Sequence, residues 1–198
     1  MKKIANLDSL IEKNNGYLRT SDAKATGISR QYFIEYVRDR KLERLAQGLY
    51  MSQDAWRDDM YVIQTRYPQA VFSHETASYL LNLAEREPLE YSVTLKAGAN
   101  ATRLTKQGVK VYKVRESLFS EGLSETRSPA GHLLRIYNPE RTVCDLIRSR
   151  RNIEIQDLQT AIRKYVRLSD KNIPLLIRYA ELFQVVGIVR QYLEVLLP

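Results

Sequence analysis

Apolar residues recur with a helical period through the first forty positions and then give way to short alternating runs. Leu7, Leu10 and Ile11 stand at i, i+3 and i+4, which predicts a helix over Leu7–Asn14 with one apolar face, ended by Gly16. Tyr17-Leu18-Arg19-Thr20 reads as short and extended. Thr20 or Ser21 can cap a brief second helix, Asp22 to Thr26, in which Ala23 and Ala25 let backbones approach. Gly27 supplies the positive φ of a sharp turn. Ser29 is placed to cap a longer helix reaching Arg40, with Phe33 and Val37 facing inward and Ile34 and Tyr36 flanking them. Leu42, Leu45 and Leu49-Tyr50 bracket Gln47-Gly48, the pattern of a tight hairpin.

Helix, short strand, helix, turn, longer helix and hairpin is the order of a winged helix-turn-helix. On that reading the outer face of the third helix carries Arg30, Gln31, Tyr32, Glu35 and Arg38, behind Ser29 at its start. Arginine pairs with guanine through two bonds and glutamine with adenine; Tyr32 would meet a thymine methyl or a phosphate. Arg40 and Lys41 would reach phosphate, and Arg44 and Gln47 in the wing would lie near the backbone or the minor groove. Helix-turn-helix folds also serve in protein interaction, and Glu35, Asp39 and Glu43 dilute the positive face, so both uses remain open.

The remaining residues predict a mixed fold. Trp56, Met60 and Ile63 recur at i, i+4 and i+7, a helix that Asp54 would cap, and Ser73 would cap another running to Leu81. Tyr91–Leu95, Val109–Val114 and Leu133–Tyr137 read as strands of a small sheet. Asn138-Pro139 is a strong helix start, with Val143, Leu146 and Ile147 turned inward. Ile155, Leu158, Ile162 and Tyr165 form the core face of a further helix, and Pro174–Leu197 reads as two helices broken near Val186-Gly187. The expected class is α+β. A winged helix-turn-helix at residues 1–52 would pack against a larger mixed α/β domain at 53–198, with a small sheet and a helical C-terminal end. No Gly/Ser-rich linker separates the two.

Composition narrows the partners. The 198 residues include 44% hydrophobic and 27% charged positions, enough for a core in a soluble chain. No apolar run reaches the about 18 residues that span a bilayer, and no signal-peptide stretch follows the basic start, so a cytoplasmic protein without membrane contact is expected. The net charge is +8, which favours a polyanion partner; charge alone fits a basic protein without a nucleic-acid role equally well. Arg148, Arg150 and Arg151 form one basic cluster and Arg163, Lys164 and Arg167 another; each is most often just a solvated face.

Candidate chemistry is sparse. His74-Glu75 lacks the second histidine of a zinc-protease helix, because position 78 is Ser78; His74 is expected to be a hydrogen-bonded packing residue. Glu140 and Asp145 stand at i and i+5, which does not bring them to one face, and solvated or salt-bridged carboxylates are expected. Cys144 is alone, which excludes an intramolecular disulfide and a multi-cysteine zinc site, and a buried thiol is expected. No metal, cofactor or catalytic set is expected.

The chain resembles the AbiE-type abortive-infection antitoxins, the antitoxin half of bacterial type IV toxin–antitoxin pairs. The residues that carry the resemblance are Gly16-Tyr17-Leu18-Arg19-Thr20-Ser21-Asp22-Ala23, Gly27-Ile28-Ser29-Arg30 and Gln47-Gly48-Leu49-Tyr50, then Phe72-Ser73-His74-Glu75-Thr76-Ala77 and Pro139-Glu140-Arg141-Thr142-Val143-Cys144-Asp145-Leu146. The resemblance implies a non-enzymatic protein whose winged helix binds inverted repeats of double-stranded operator DNA and represses its own operon. It also implies a second domain that opposes a nucleotidyltransferase-like toxin without a stable complex, in defence against phage. Arg148, Arg150, Arg151, Arg163 and Lys164 are the matching candidates for the antitoxin surface. Pairing of protomers on DNA is left open. A winged-helix regulator with a ligand- or partner-sensing second domain, and a winged-helix-targeted nuclease, are the alternatives.

Overall fold

The computed structural model describes the backbone of residues 2–196 and the side chains of residues 4–196; Leu197, placed by sequence in the last helix, lies outside the described residues. The architecture is mixed α and β, with two small sheets and several helices. It divides into two units. Unit 1 runs to Pro68 and includes Arg127–Leu133; unit 2 comprises Gln69–Thr126 and the chain from Leu134 onward. Unit 1 thus continues past residue 52.

Unit 1 is built in the order α1 (Lys2–Lys13), β1 (Tyr17–Arg19), α2 (Thr20–Ala25), α3 (Arg30–Asp39), β2 (Glu43–Ala46), β3 (Leu49–Met51) and α4 (Asp59–Arg66). β3 lies between β1 and β2, antiparallel to both. Leu7, Leu18, Ala23, Ile28, Phe33 and Tyr36 form the core, which is why α1, α2 and α3 each turn one face inward. Gly27 between α2 and α3 has φ +77°, the conformation that the tight turn was expected to need. Tyr36, not Ile34, completes the inner face of α3, because residues 33, 36 and 37 fall on one side of a 3.6-residue period.

The helix expected around Trp56 begins later. Asp58 rather than Asp54 caps α4, its carboxylate accepting from Tyr61 N–H at 3.0 Å, and Trp56 stands outside the helix at 86% exposure. The Tyr17 hydroxyl explains the difference: it accepts from Asp58 N–H at 2.7 Å and donates to Trp56 C=O at 3.1 Å, holding residues 56–58 as extended chain.

Unit 2 contains β4 (Val71–Phe72), α5 (His74–Leu80), β5 (Ser92–Lys96), α6 (Thr102–Thr105), β6 (Lys110–Val114), α7 (Glu116–Phe119), β7 (Leu123–Arg127), β8 (Leu133–Tyr137), α8 (Pro139–Arg148), α9 (Ile155–Arg167), α10 (Ile173–Leu182) and α11 (Val186–Leu196). The sheet order is β6-β5-β4-β8-β7. β5 and β6 pair in parallel, as do β4 and β8, whereas β4 and β5 are antiparallel. β4 and β7 escape a periodicity reading: β4 is two residues long, and Leu123-Ser124-Glu125-Thr126-Arg127 is mostly polar. The Asn138 side chain caps α8 by accepting from Arg141 N–H at 3.0 Å, with Pro139 in the first turn as expected. Ile155, expected in the core, is 52% exposed at the start of α9, where Leu158, Ala161, Ile162 and Tyr165 are buried instead. The final break comes before Val186, and Gly187 lies inside α11.

Within α8, Arg141 is fully buried. Its Nε donates to Asp145 Oδ2 at 2.9 Å, one helical turn on, and Nη1 donates to Leu118 C=O and Glu121 C=O at 2.8 and 2.9 Å. The guanidinium also lies over the rings of Tyr137 and Phe183, 4.2 and 3.8 Å from their centroids. Gly122, at φ +76°, leaves the space this needs, since a Cβ there would stand 2.6 Å from Arg141 Cβ. Burial pushes the Asp145 carboxyl up to about 6, against the lowering effect of Arg141. Asp145→Ala strands the guanidinium and is expected to destabilise unit 2 by roughly 3–5 kcal/mol, read from urea unfolding followed by circular dichroism; a loss below about 1 kcal/mol would show that the pair is not what holds α8.

Candidate nucleic-acid interface

α3 presents its charged side to solvent because its apolar side is committed to the core of unit 1. Ser29 caps it, accepting from Tyr32 N–H at 3.4 Å. Arg30, Gln31, Ile34, Glu35 and Arg38 are all exposed and recur at i, i+1, i+4, i+5 and i+8, one stripe along the helix. Ile34 belongs to this stripe although it was expected on the inner face; the helical phase of Phe33 and Tyr36 was the signal for it. Tyr32 is only half-buried and packs against the core cluster.

The other expected DNA contacts are unequally placed. Arg40 Nη2 donates to Asp8 Oδ2 on α1 at 2.8 Å, and Asp8 also accepts from the Tyr36 hydroxyl, so Arg40 is tied back to the scaffold. Arg38 pairs weakly with Asp39 at 3.4 Å, both strongly exposed, which leaves its charge available. Lys41 is exposed at φ +51°, just beyond α3. Arg44 is exposed on β2, its Nε 3.4 Å from Ala46 C=O, and Gln47 is exposed at the β2–β3 turn.

The basic residues of unit 2 sort into different roles. Arg150 and Arg163 line one open groove of about 600 Å³, together with Gln159, Ile188, Gln191 and Tyr192. Lys164 instead donates to Ala84 C=O at 2.8 Å. Arg148 lies 6.0 Å from the Phe183 ring and Arg151 is exposed; neither lines this groove.

The residues weighed for chemistry are engaged in the fold. His74 is buried, stacked on Tyr112 at 3.4 Å between centroids. Thr94 Oγ1 donates to Ser73 Oγ at 2.9 Å, and Ser73 in turn meets His74 Nδ1 at 2.9 Å. On the other side of the ring, Nε2 lies 3.1 Å from Ser149 Oγ. Burial holds the imidazole well below the ordinary histidine range, helped by Arg141, Lys110 and Arg148, so it is neutral. Glu75 pairs with Lys110 at 2.7 Å. Glu140 is buried rather than solvated, accepting from the Tyr165 hydroxyl at 3.2 Å and Asn172 N–H at 3.0 Å, while Asp145 is the salt-bridged partner of Arg141. The Cys144 thiol is buried. Among the described residues no group of three or more His, Cys, Asp or Glu is placed to hold a metal ion, and no helix is long and apolar enough to cross a membrane.

Sequence comparison bears on unit 1. Residues 7–53 match the AbiEi_4 family model, described as transcriptional regulator, AbiEi antitoxin. The match covers α1 through β3 and stops before α4. No curated protein matches the chain significantly. The fold is similar to the crystal structure of the RV2827C protein from Mycobacterium tuberculosis, with TM-score 0.57 and 13% identity over 99% of this chain and 81% of that one. At that identity the likeness speaks for the fold alone, and it extends beyond the AbiEi segment into unit 2.

Unit 1 also holds a buried network that reasoning from sequence missed, because its members are far apart in the chain. His132 Nε2 faces Asn14 C=O at 3.2 Å, an acceptor only, and Nδ1 lies 2.7 Å from Asp58 Oδ2. Tyr61 stacks on the imidazole, 4.1 Å between centroids, and Ser128 Oγ also donates to Asp58. Burial alone would raise the Asp58 carboxyl, but hydrogen bonds from His132, Ser128 and Tyr61 N–H outweigh it and hold it below its usual range. A lowered carboxyl stabilises the fold above its unfolded value and loses that contribution as pH falls through the folded one. Stability from urea unfolding is therefore expected to fall below about pH 4 in the wild type; Asp58→Asn should be less stable at pH 7 and flatter across pH 3–7, and parallel profiles would count against this network.

Proposed function

We propose that the protein is a type IV antitoxin that binds an inverted-repeat operator and represses its own operon. Unit 1 acts as a winged helix-turn-helix, with α3 entering the major groove and the β2–β3 hairpin as the wing. The observation that carries this reading is the exposed stripe of α3, set between the Gly27 turn and the hairpin inside the segment that matches the AbiEi antitoxin regulators. Arg30 and Gln31 sit in the first turn of α3, from which recognition helices meet base edges. Arg38, Lys41, Arg44 and Gln47 border that helix or lie on the hairpin, where phosphate contacts set register. Ser29 holds the helix start, Tyr32 supports it from the core side, and Arg40 serves the scaffold through Asp8. Repression follows from occlusion of the promoter, and two copies on paired half-sites raise occupancy.

Unit 2 supplies protection against a nucleotidyltransferase-like toxin, in a system that limits phage by abortive infection and without a stable toxin complex. Arg150 and Arg163 are its working cations because they share a groove, whereas Lys164 serves the fold. The same groove favours a second reading, a regulator that senses a ligand in unit 2, since its volume suits a small molecule.

Two measurements test these assignments. In gel shifts with the protein's own promoter, Arg30→Ala and Gln31→Ala are each expected to weaken specific binding by about 1–3 kcal/mol; unchanged affinity in both removes α3 from the interface. In cells carrying the neighbouring toxin gene, Arg150→Ala with Arg163→Ala should lose protection at unchanged operator affinity, and full protection by that double variant rules the groove out.

A further inference from the structure

Ile34 stands midway along the exposed stripe of α3, one turn beyond Arg30 and Gln31 and one turn before Arg38, and is 54% exposed. The core of unit 1 is closed without it by Phe33 and Tyr36, with Tyr32 and Val37 packed alongside. The other members of the stripe, Arg30, Gln31, Glu35 and Arg38, are all capable of hydrogen bonding. A branched apolar side chain in the middle of such a row forgoes burial unless a ligand provides it. In the major groove one base edge has an apolar substituent, the C5-methyl of thymine. Branching at Cβ restricts χ1 of Ile34 before binding, so little rotamer freedom remains to be lost on contact.

We propose that Ile34 is a specificity-determining residue that reads a thymine methyl in each operator half-site, beside the bases met by Arg30 and Gln31. The inference rests on α3 being the DNA-reading helix, and it adds a requirement for thymine that the polar residues of the stripe do not impose. One buried methyl sets the size of the effect at about three- to fivefold in affinity per half-site.

The experiment removes the methyl and nothing else. Each thymine of a promoter half-site is replaced in turn by deoxyuridine, and full-length wild type, Ile34→Val and Ile34→Ala are titrated by fluorescence anisotropy at fixed salt, with circular dichroism as a check of folding. One position per half-site is expected at which deoxyuridine weakens the wild type about three- to fivefold. Ile34→Val should keep much of that penalty, and Ile34→Ala should bind thymine and deoxyuridine alike. Wild-type binding that ignores every methyl overturns the role of Ile34 and leaves DNA binding by α3 standing; so does full methyl sensitivity in Ile34→Ala. Failure of the wild type to bind its promoter at all overturns the DNA-reading assignment and this inference with it.

Discussion

A guanidinium without contact to water must be neutralised, hydrogen-bonded and packed at once, and Arg141 imposes all three demands on its surroundings. Asp145 supplies the charge, Leu118 and Glu121 supply carbonyls, and Tyr137 and Phe183 supply faces. These groups come from α8 itself, from α7 and the turn after it, from the end of β8 and from the end of α10. One side chain therefore ties α8 to α7 and the turn after it, to the end of β8 and to the end of α10. Among the described residues Nη2 is buried without a hydrogen-bond partner. Such a pair contributes no more to stability than well-packed apolar groups of similar volume, but few alternative packings satisfy it.

A second polar seam runs through unit 2 and explains the other prominent motif. Ser73, His74 and Thr76 follow β4, and Ser92 and Thr94 lie on β5 beside it. Ser92 Oγ donates to Ser73 C=O at 2.6 Å, and Thr76 Oγ1 accepts from Ser92 N–H at 2.7 Å. Hydroxyls here replace ladder bonds that the two-residue β4 is too short to provide. His74 sits at φ +49°, an unfavourable conformation for a side chain with a Cβ, and its bonds to Ser73 and Ser149 hold it there. The run from Phe72 to Ala77 and that from Pro139 to Leu146 thus look like chemistry in sequence and act as framework in space.

Unit 1 divides labour differently. Its buried network fixes α1, α4 and the 127–133 segment through Asp58 and His132, while α3 spends its inner face on the core and leaves its outer face uncommitted. Asp8 on α1 pairs with Tyr36 and Arg40, and this offsets one positive charge beside the outer set. What remains exposed mixes two arginines, a glutamine, a glutamate and an isoleucine, a set with more power to discriminate bases than to attract phosphate in general.

The chain's local pattern was sufficient for the amino-terminal order of elements, for the Gly27 turn, for the caps at Ser29 and Asn138, and for the burial of Cys144. Each depends on residues within one or two turns of one another. It was insufficient where partners come from afar. Trp56 has helical spacing with Met60 and Ile63, yet the Tyr17 hydroxyl claims the backbone around it and the helix starts later. Ile155 has the period of a core position but lies at a helix end beyond the packed surface. Lys164 has the look of a solvated cation and instead bonds the carbonyl of Ala84, eighty positions away. Five basic residues of unit 2 were indistinguishable in sequence, and only folding set Arg150 and Arg163 together. Periodicity records which face of an element is apolar; which distant groups meet that face, and which charges are consumed in doing so, is decided by the packing of elements against each other.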